Sequence, residues 1–193
     1  DAEGRAVPVA MRWEAGGLSL DLGGLELSRE DVAFPVLVDP VIEVVDWVLR
    51  DPGGLVPGRY DHALVYDSAR SRVVLFGGWN GGAFLGDTWE WDDTTWMLRT
   101  PAAASPPARS DHALAYDSAR SSVVLFGGLG GAFLGDTWEW DGTTWTLRTP
   151  AASPPTRHAH ALAYDSARSC VVLFGGWNGA LLDDTWEWDG TTW

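Results

Sequence analysis

Residues 135–145 read GDTWEWDGTTW, so three tryptophans stand in one short stretch of acidic residues and threonines. Two further stretches are almost identical: GDTWEWDDTTW at 86–96 and DDTWEWDGTTW at 183–193. Each ends a longer repeat that begins R-x-x-H-A-L-x-Y-D-S-A-R-S-x-V-V-L-F-G-G, and the three copies start at Arg59, Arg109 and Arg157. A period of 48 to 50 residues with strand-like content predicts the blades of a β-propeller.

Each copy has room for four antiparallel strands, which we name a to d. In the first copy, HALVYD alternates between apolar and polar residues, and the apolar run Val73–Phe76 is typical of a strand buried on both faces. TWEWD alternates again, with Trp89 and Trp91 on one face and Thr88 and Glu90 on the other. TWMLR supplies the fourth strand. The links DSAR and DGTT are short and rich in turn-forming residues, so we expect an all-β fold of three four-stranded blades.

The tryptophans have two possible roles in such a fold. Twelve of the thirteen fall in a repeating register, and Trp13 is the exception. Blades of a propeller stack face to face, and each aromatic side chain can bury about 150–250 Å² between them. A ring of aromatic stacking sites for ligands is the alternative. We favour packing between blades.

The chain before the first repeat divides into two parts. The segment DWVLRDP around Trp47 matches the strand d sequences TWMLRTP and TWTLRTP. Residues 45–50 therefore predict a lone d strand, which we hypothesise completes the last blade and protects an open edge. Residues 1–44 do not repeat, and their Gly-Gly turns predict short strands from the tail of a preceding β domain. The predicted domains are this β-rich segment, 1–44, and the propeller blades, 45–193.

The double glycine after an apolar strand, followed by an aromatic residue on strand c and a tryptophan on strand d, resembles the kelch repeat over 45–193. DTWEWDGTTW is especially similar to the kelch-type repeats of bacterial extracellular proteins, which resemble the central domain of galactose oxidase. The resemblance implies a binding module for a protein or carbohydrate ligand, located outside the cell or on its surface. Three blades and one strand are fewer than the 4–8 blades of a propeller, so we expect a fragment or a ring closed by self-association.

Composition excludes several classes of partner. The net charge of −14 argues against binding a nucleic-acid backbone, which requires clustered Lys and Arg. It also argues against attachment to anionic lipid. No apolar run reaches the roughly 18–20 residues that span a bilayer, so we expect no membrane insertion.

The candidate binding residues follow from strand order. In an antiparallel blade the a–b and c–d turns lie on one face of the propeller, and the b–c and d–a loops lie on the other. The first face keeps its spacing in all three copies, whereas the second varies in length and content. Because function usually resides in loops on a rigid scaffold, the predicted ligand-binding residues are Trp79, Asn80, Trp177, Asn178, Ser110, Asp111 and His158. Neutral drift after duplication is the alternative explanation of the variation.

Repeated polar residues are interpreted as structural. His62, His112 and His160 share one register at the start of strand a, and a wide ring does not bring three such side chains within metal-binding distance. The aspartate before each Ser-Ala-Arg is expected to cap its turn and pair with the arginine; these aspartates are Asp67, Asp117 and Asp165. Asp87, Asp136 and Asp184 open strand c, but the spaced carboxylates of a calcium loop are missing.

The repeats give little support to an enzymatic function. A copper centre of the galactose oxidase type requires a tyrosine cross-linked to cysteine, and Cys170, which stands in the register of Arg72 and Ser122, has no evident tyrosine neighbour. We therefore expect no catalytic residues, cofactor or metal in this chain. The alternatives are the propeller part of a carbohydrate-active or galactose oxidase-like enzyme whose catalytic residues lie outside the chain, and a structural spacer of a surface protein.

Overall fold

The computed structural model describes residues 10–14, 17–21, 56–101 and 104–193. The chain forms two compact units, Asp1–Leu49 and Arg50–Trp193. In the first unit, strands β1 (Ala10–Glu14) and β2 (Gly17–Asp21) pair as an antiparallel ribbon. The lone d strand predicted at 45–50 lies outside the described residues, as does the rest of the predicted β segment.

The second unit consists of three antiparallel sheets, which confirms the all-β blades. Blade 1 contains β3 (Ala63–Asp67), β4 (Arg72–Phe76), β5 (Thr88–Trp91) and β6 (Trp96–Arg99). Blade 2 contains β7 (Ala113–Asp117), β8 (Ser122–Leu129), β9 (Phe133–Trp140) and β10 (Trp145–Arg148). Blade 3 contains β11 (Ala161–Asp165), β12 (Cys170–Phe174) and β13 (Thr185–Trp188).

Two details differ from the predicted blades. Blade 3 has three strands instead of four, because the tryptophan that begins strand d in the other blades is here Trp193, the last residue of the chain. In blade 2, β8 and β9 continue past the double glycine through a bulge between Phe126 and Gly128. The b–c loops of blades 2 and 3 are one residue shorter than that of blade 1, and only in blade 2 do the two strands stay paired almost to the tip of the loop.

The turns between strands a and b form as the sequence predicts. In blade 1, Asp67 Oδ1 accepts hydrogen bonds from the Ala69 and Arg70 amides, both at 3.1 Å, and its Oδ2 accepts one from Arg70 Nε at 2.7 Å. Asp117 and Asp165 cap the equivalent turns in the same way, and their Oδ2 atoms accept hydrogen bonds from Arg120 Nη1 and Arg168 Nε. The cap satisfies amides that the tight turn leaves without strand partners.

The core lies between blades, and tryptophan side chains form a large part of it. Trp138, Trp140 and Trp145 of blade 2 pack with Val74 and Phe76 of blade 1, and all five side chains are buried. Trp188 and Trp193 of blade 3 occupy the same places against blade 2. Packing between blades is therefore confirmed as the role of these tryptophans.

Each blade also buries polar groups against the next one. The Trp140 ring N–H donates a hydrogen bond to Glu90 Oε1 at 3.0 Å, and the Trp145 ring N–H donates one to Thr88 Oγ1 at 2.9 Å. Trp188 and Trp193 donate in the same way to Glu139 and Thr137. The threonine and glutamate that alternate with the tryptophans of strand c are thus covered by the following blade, and Glu90 is 0% exposed.

Candidate binding face

The b–c and d–a loops meet along one face of the blades, which we call the loop face. In each blade, a residue of the d–a loop forms a β-bridge with a residue of the b–c loop; the pairs are Tyr60 with Trp79, Ser110 with Leu129, and His158 with Trp177. In blade 2, the Ser110 amide donates to the Leu129 carbonyl at 2.9 Å, and the Leu129 amide donates back at 2.8 Å. The predicted binding residues therefore lie on or beside paired backbone.

A buried arginine fixes each d–a loop beneath this face. Arg109 is 0% exposed, and its guanidinium donates to both carboxylate oxygens of Asp136 at 2.7 Å and to the Gly127 carbonyl at 2.8 Å. Burial alone raises the pKa of Asp136, but the hydrogen bonds and charge of Arg109, together with the Trp138 ring N–H, bring that pKa below its usual value. Arg59 and Arg157 form the same forked pairs with Asp87 and Asp184. Asp87, Asp136 and Asp184 are thus the acidic partners in ion pairs with these arginines.

Neighbouring blades are also linked at the start of strand a. The Asp111 amide donates to the Asp61 carbonyl, and the Ala159 amide donates to the Asp111 carbonyl, both at 2.9 Å. All three residues have φ between 52° and 54°, in the left-handed region that non-glycine residues seldom occupy. Strands a of neighbouring blades contact each other, so these bonds run along the inner rim of the loop face.

Four of the seven predicted binding residues come together between blades 2 and 3. The rings of Phe133 and His158 stack at 5.3 Å with an interplanar angle of 10°, and Trp177 meets Phe133 edge-on at 5.3 Å. Asp111 Oδ2 lies 3.9 Å from His158 Nδ1 and accepts a hydrogen bond from Ser110 Oγ at 3.0 Å. We call these five residues the aromatic cluster.

The other three predicted residues lie apart from the aromatic cluster. In blade 1, Trp79 packs edge-on against Phe84 at 4.6 Å. The side-chain oxygen of Asn80 accepts hydrogen bonds from the Gly82 and Ala83 amides at 3.0 and 2.8 Å, so it shapes its own loop. The Asn178 amide donates to the Ala180 carbonyl at 3.2 Å within the corresponding loop of blade 3.

Phe133 is the member of the aromatic cluster that the sequence analysis missed. It occupies the register of Phe84 and Leu181, which form the corresponding bridges in blades 1 and 3. The exchange of phenylalanine for leucine at this position was a usable signal, because the residues around it differ little between copies. Leu181 is 88% exposed and extends the apolar surface beside Trp177.

The histidines at the start of strand a in blades 2 and 3, His112 and His160, are buried. Burial lowers the pKa of His112 to about 3, and the charge of Arg109 adds to the effect. Burial likewise lowers the pKa of His160 to about 4. The His112 and His160 rings pack edge-on against Phe76 and Phe126, both at 5.5 Å. Their place in the inter-blade packing agrees with a structural role.

Among residues 10–14, 17–21, 56–101 and 104–193, no group of three or more His, Cys, Asp or Glu side chains is arranged to hold a metal ion. The same residues contain no helix long and apolar enough to cross a membrane. Cys170 is buried at the start of β12, where it pairs with Asp165 in the sheet register.

Comparison with known proteins agrees with the blades. The model of the KLHDC2/KLHL20/DRC7 Kelch-repeats domain matches residues 41–193, which is most of the chain. No curated protein gives a significant match. Kelch repeat domains are generally non-catalytic interaction modules that bind protein partners. With three stacked blades, inter-blade tryptophans and a loop face already described, the match shows that this chain belongs to the KLHDC2/KLHL20/DRC7 Kelch-repeats domain family.

Proposed function

We propose that this chain is a non-catalytic binding module whose protein ligand contacts the b–c and d–a loops at the aromatic cluster. The observation that carries the proposal is the stack of Phe133, His158 and Trp177 across two blades at the loop face. Trp177 remains 40% exposed at this face. Exposed aromatic residues on a rigid scaffold are typical of the anchors that dominate protein interfaces.

The polar groups of the aromatic cluster indicate the chemistry of the ligand. Asp111 has 28% of its side chain exposed. His158 Nδ1 is buried and makes no hydrogen bond to any residue that the structure describes. A carboxylate beside an apolar stack favours a ligand segment that combines an apolar side chain with Lys or Arg. The chain's net charge of −14 favours the same basic ligand.

Selection from a displayed peptide library would test this proposal directly. We expect the chain to enrich peptides that carry an apolar residue next to Lys or Arg. Trp177→Ala should abolish the enrichment without a change in melting temperature, because Trp177 contributes little to the core. Trp79→Ala is the matched control, because it alters the same register of blade 1 outside the aromatic cluster, and it should keep the enrichment. Equal enrichment by both variants would contradict the proposed site.

A carbohydrate ligand is the second candidate. The exposed ring of Trp177 could stack on a sugar face, and Ser110 and Asp111 could bind hydroxyl groups. A glycan array probed with the same two variants distinguishes the candidates, because Trp177-dependent binding to glycans but not to peptides would favour this one. The galactose oxidase-like enzyme remains a third hypothesis, since its catalytic residues would lie outside this chain.

We also propose that the protein is exported by a bacterium and acts outside the cell or on its surface. Support comes from the resemblance to bacterial extracellular kelch-type repeats, from the acidic composition and from the presence of a single cysteine. Fractionation of the producing cells would test the location. Recovery of the protein in the cytosolic fraction alone would contradict it.

A further inference from the structure

Two blade faces carry apolar side chains that the matching interfaces inside the chain bury. On blade 1, Leu64 is 51% exposed, whereas Leu114, in the same register of blade 2, is 8% exposed. On blade 3, Phe174 is 56% exposed, whereas Phe126 is 0% exposed. We call the face of blade 1 with Leu64, Tyr66, Trp91 and Trp96 the trailing face. The face of blade 3 with Phe174, Thr185 and Glu187 is the leading face.

The backbone contacts of the two internal interfaces are the same. Between blades 1 and 2, the Gly78 amide donates to the Arg109 carbonyl at 2.8 Å, and the Arg109 amide donates to the Leu85 carbonyl at 2.9 Å. Between blades 2 and 3, Gly128, Arg157 and Leu134 repeat this pair of bonds at the same lengths. Both internal interfaces therefore use one glycine amide, one leucine carbonyl and the backbone of one arginine.

The side-chain contacts repeat as well. Trp140 and Trp145 of blade 2 donate to Glu90 and Thr88 of blade 1, and Phe76 packs edge-on against Trp145 at 5.3 Å. The second interface has the same three contacts, which are made by Trp188 with Glu139, Trp193 with Thr137, and Trp193 with Phe126. One blade thus supplies two ring N–H donors, and the preceding blade supplies two oxygen acceptors and a phenyl ring.

Both halves of a third interface are present at the two ends of the chain. The trailing face presents Trp91 and Trp96, whose rings lie 5.6 Å apart, close to the 5.4 and 5.5 Å of the two internal pairs. The leading face presents the acceptors Thr185 and Glu187 beside Phe174. Each half therefore already has the arrangement that its partner requires.

A groove on the leading face lies where the backbone of a neighbouring blade would pack. It has a volume of about 430 Å³ and is lined by His160, Phe174, Gly175, Gly176, Trp177 and Leu182, among others. A Cβ at Gly77 or Gly127 would meet the arginine carbonyl of the next blade at 2.6 Å and its histidine ring at 3.0 Å. A Cβ at Gly175 would meet only the Leu182 carbonyl, at 3.3 Å. The groove therefore lies where an arginine carbonyl and a histidine lie in the internal interfaces.

We propose that the leading face of one chain binds the trailing face of a second copy, and that two such interfaces close a six-bladed ring. Arg59 and His62 of the second copy would fill the groove, and Trp91 and Trp96 would donate to Glu187 and Thr185. Six blades lie within the range of 4–8 that closed propellers use. Closure also covers the open sheet faces, which as exposed apolar surface would promote aggregation.

Asp93 adds a contact that the internal interfaces lack. Its register holds glycine in blades 2 and 3, and a Cβ on Gly142 would stand 2.5 Å from Arg70 Nη1 of the preceding blade. Asp93 instead keeps a carboxylate there despite its φ of 77°. The arginine that would face it in the ring is Arg168, whose side chain is 54% exposed and already pairs with Asp165 and Glu187. The third interface would therefore gain an ion pair.

Sedimentation velocity of the 193-residue chain over a wide concentration range tests the proposal. We expect a monomer–dimer equilibrium. Thr185→Val should weaken the dimer about 5- to 150-fold, because the closed ring loses one neutral hydrogen bond at each of its two interfaces. Thr185→Val combined with Trp96→Phe should weaken the dimer no more than Trp96→Phe alone, because each substitution removes the same hydrogen bond between Trp96 and Thr185. A wild-type chain that sediments as a monomer throughout, or a Thr185→Val dimer of unchanged affinity, would overturn the proposal.

A second pair of variants checks the surface independently. Phe174→Glu places a charge on the leading face and should abolish the dimer, while its exposed position leaves the fold intact. Leu147→Glu is the matched control, because Leu147 is 47% exposed on strand d of blade 2, and it should keep the dimer. Asp93→Gly should weaken the dimer most at low salt and should stabilise the monomer by removing backbone strain. A dimer that survives Phe174→Glu would lie on another surface.

Discussion

Glu90 offers the sharpest test of how one blade stabilises the next. Its carboxylate is 0% exposed and accepts hydrogen bonds from Arg70 Nη1 at 2.6 Å, Trp140 Nε1 at 3.0 Å and Arg99 Nε at 2.8 Å. Arg99 Nη2 adds a fourth contact at 2.7 Å. Burial alone raises the pKa of Glu90, but these donors bring the pKa below its usual value. The buried charge is therefore stabilised by groups from two blades.

Glu90→Gln keeps the shape of the side chain but replaces one acceptor oxygen by an NH₂ donor. Two of the four bonds are then lost, and the new donor faces existing donors. Hydrogen bonds to charged groups contribute about 1.5–3 kcal/mol each. Arg70 and Arg99 keep 29% and 35% of their side chains exposed, so water recovers part of the loss. We expect the free energy of unfolding to fall by about 2–4 kcal/mol.

Glu187→Gln is the internal control, because Glu187 has the same register in blade 3 and no following blade in this chain. The side chain of Glu187 is 48% exposed, and its partner Arg168 is 54% exposed, so we expect a loss below about 1 kcal/mol. Urea unfolding followed by tryptophan fluorescence measures both variants at concentrations too low for self-association. Equal losses for Glu90→Gln and Glu187→Gln would refute the reasoning that the next blade makes this charge essential.

Three further predictions concern the core. Trp138→Ala should cost about 3–5 kcal/mol because its side chain is 6% exposed, and a loss below about 1 kcal/mol in urea unfolding would contradict its packing role. His112 and His160 have pKa values of about 3 and 4 when folded, whereas the unfolded chain binds protons near pH 6.5, so the stability that the two neutral histidines contribute is complete above pH 6.5 and is lost as the pH falls to about 3; equal melting temperatures at neutral pH and at about pH 5 would contradict this. Gly127→Ala should cost about 1–3 kcal/mol more than Gly175→Ala, because both have positive φ but only the first meets an arginine carbonyl at 2.6 Å, and equal thermal stabilities would argue against that close approach.

The blades could be predicted from the sequence because their determinants are local. Alternation in HALVYD and TWEWD, the apolar run of Val73–Phe76 and the Asp-rich turns each act within a few residues, and every one recurs at a fixed offset. The burial of Glu90 could not be predicted from alternation, because the group that covers it comes from another blade. A recurring arginine nine residues later, seen as Arg99 and Arg148, was the signal that could have revealed its ion pair.

The candidate site was predicted less completely for a related reason. Variation between copies selected the b–c and d–a loops, and the structure brings Ser110, Asp111, His158 and Trp177 together. Variation does not indicate which blade a side chain leans towards. Phe133 completes the aromatic cluster from the neighbouring blade, whereas Asn80 turns back to cap its own loop. Contacts across a blade boundary depend on how two sheets are juxtaposed, and a repeat pattern contains no direct record of that.

The buried arginine of each d–a loop affects how the molecule comes apart. Arg109 is bonded through its backbone to blade 1 and through its guanidinium to Asp136 of blade 2. Cleavage that requires one blade to unfold therefore also requires the contacts with its neighbour to break. Digestion under native conditions should give either the intact array or small peptides, with no ladder of single blades. The three blades are therefore expected to unfold as one cooperative unit and not one at a time.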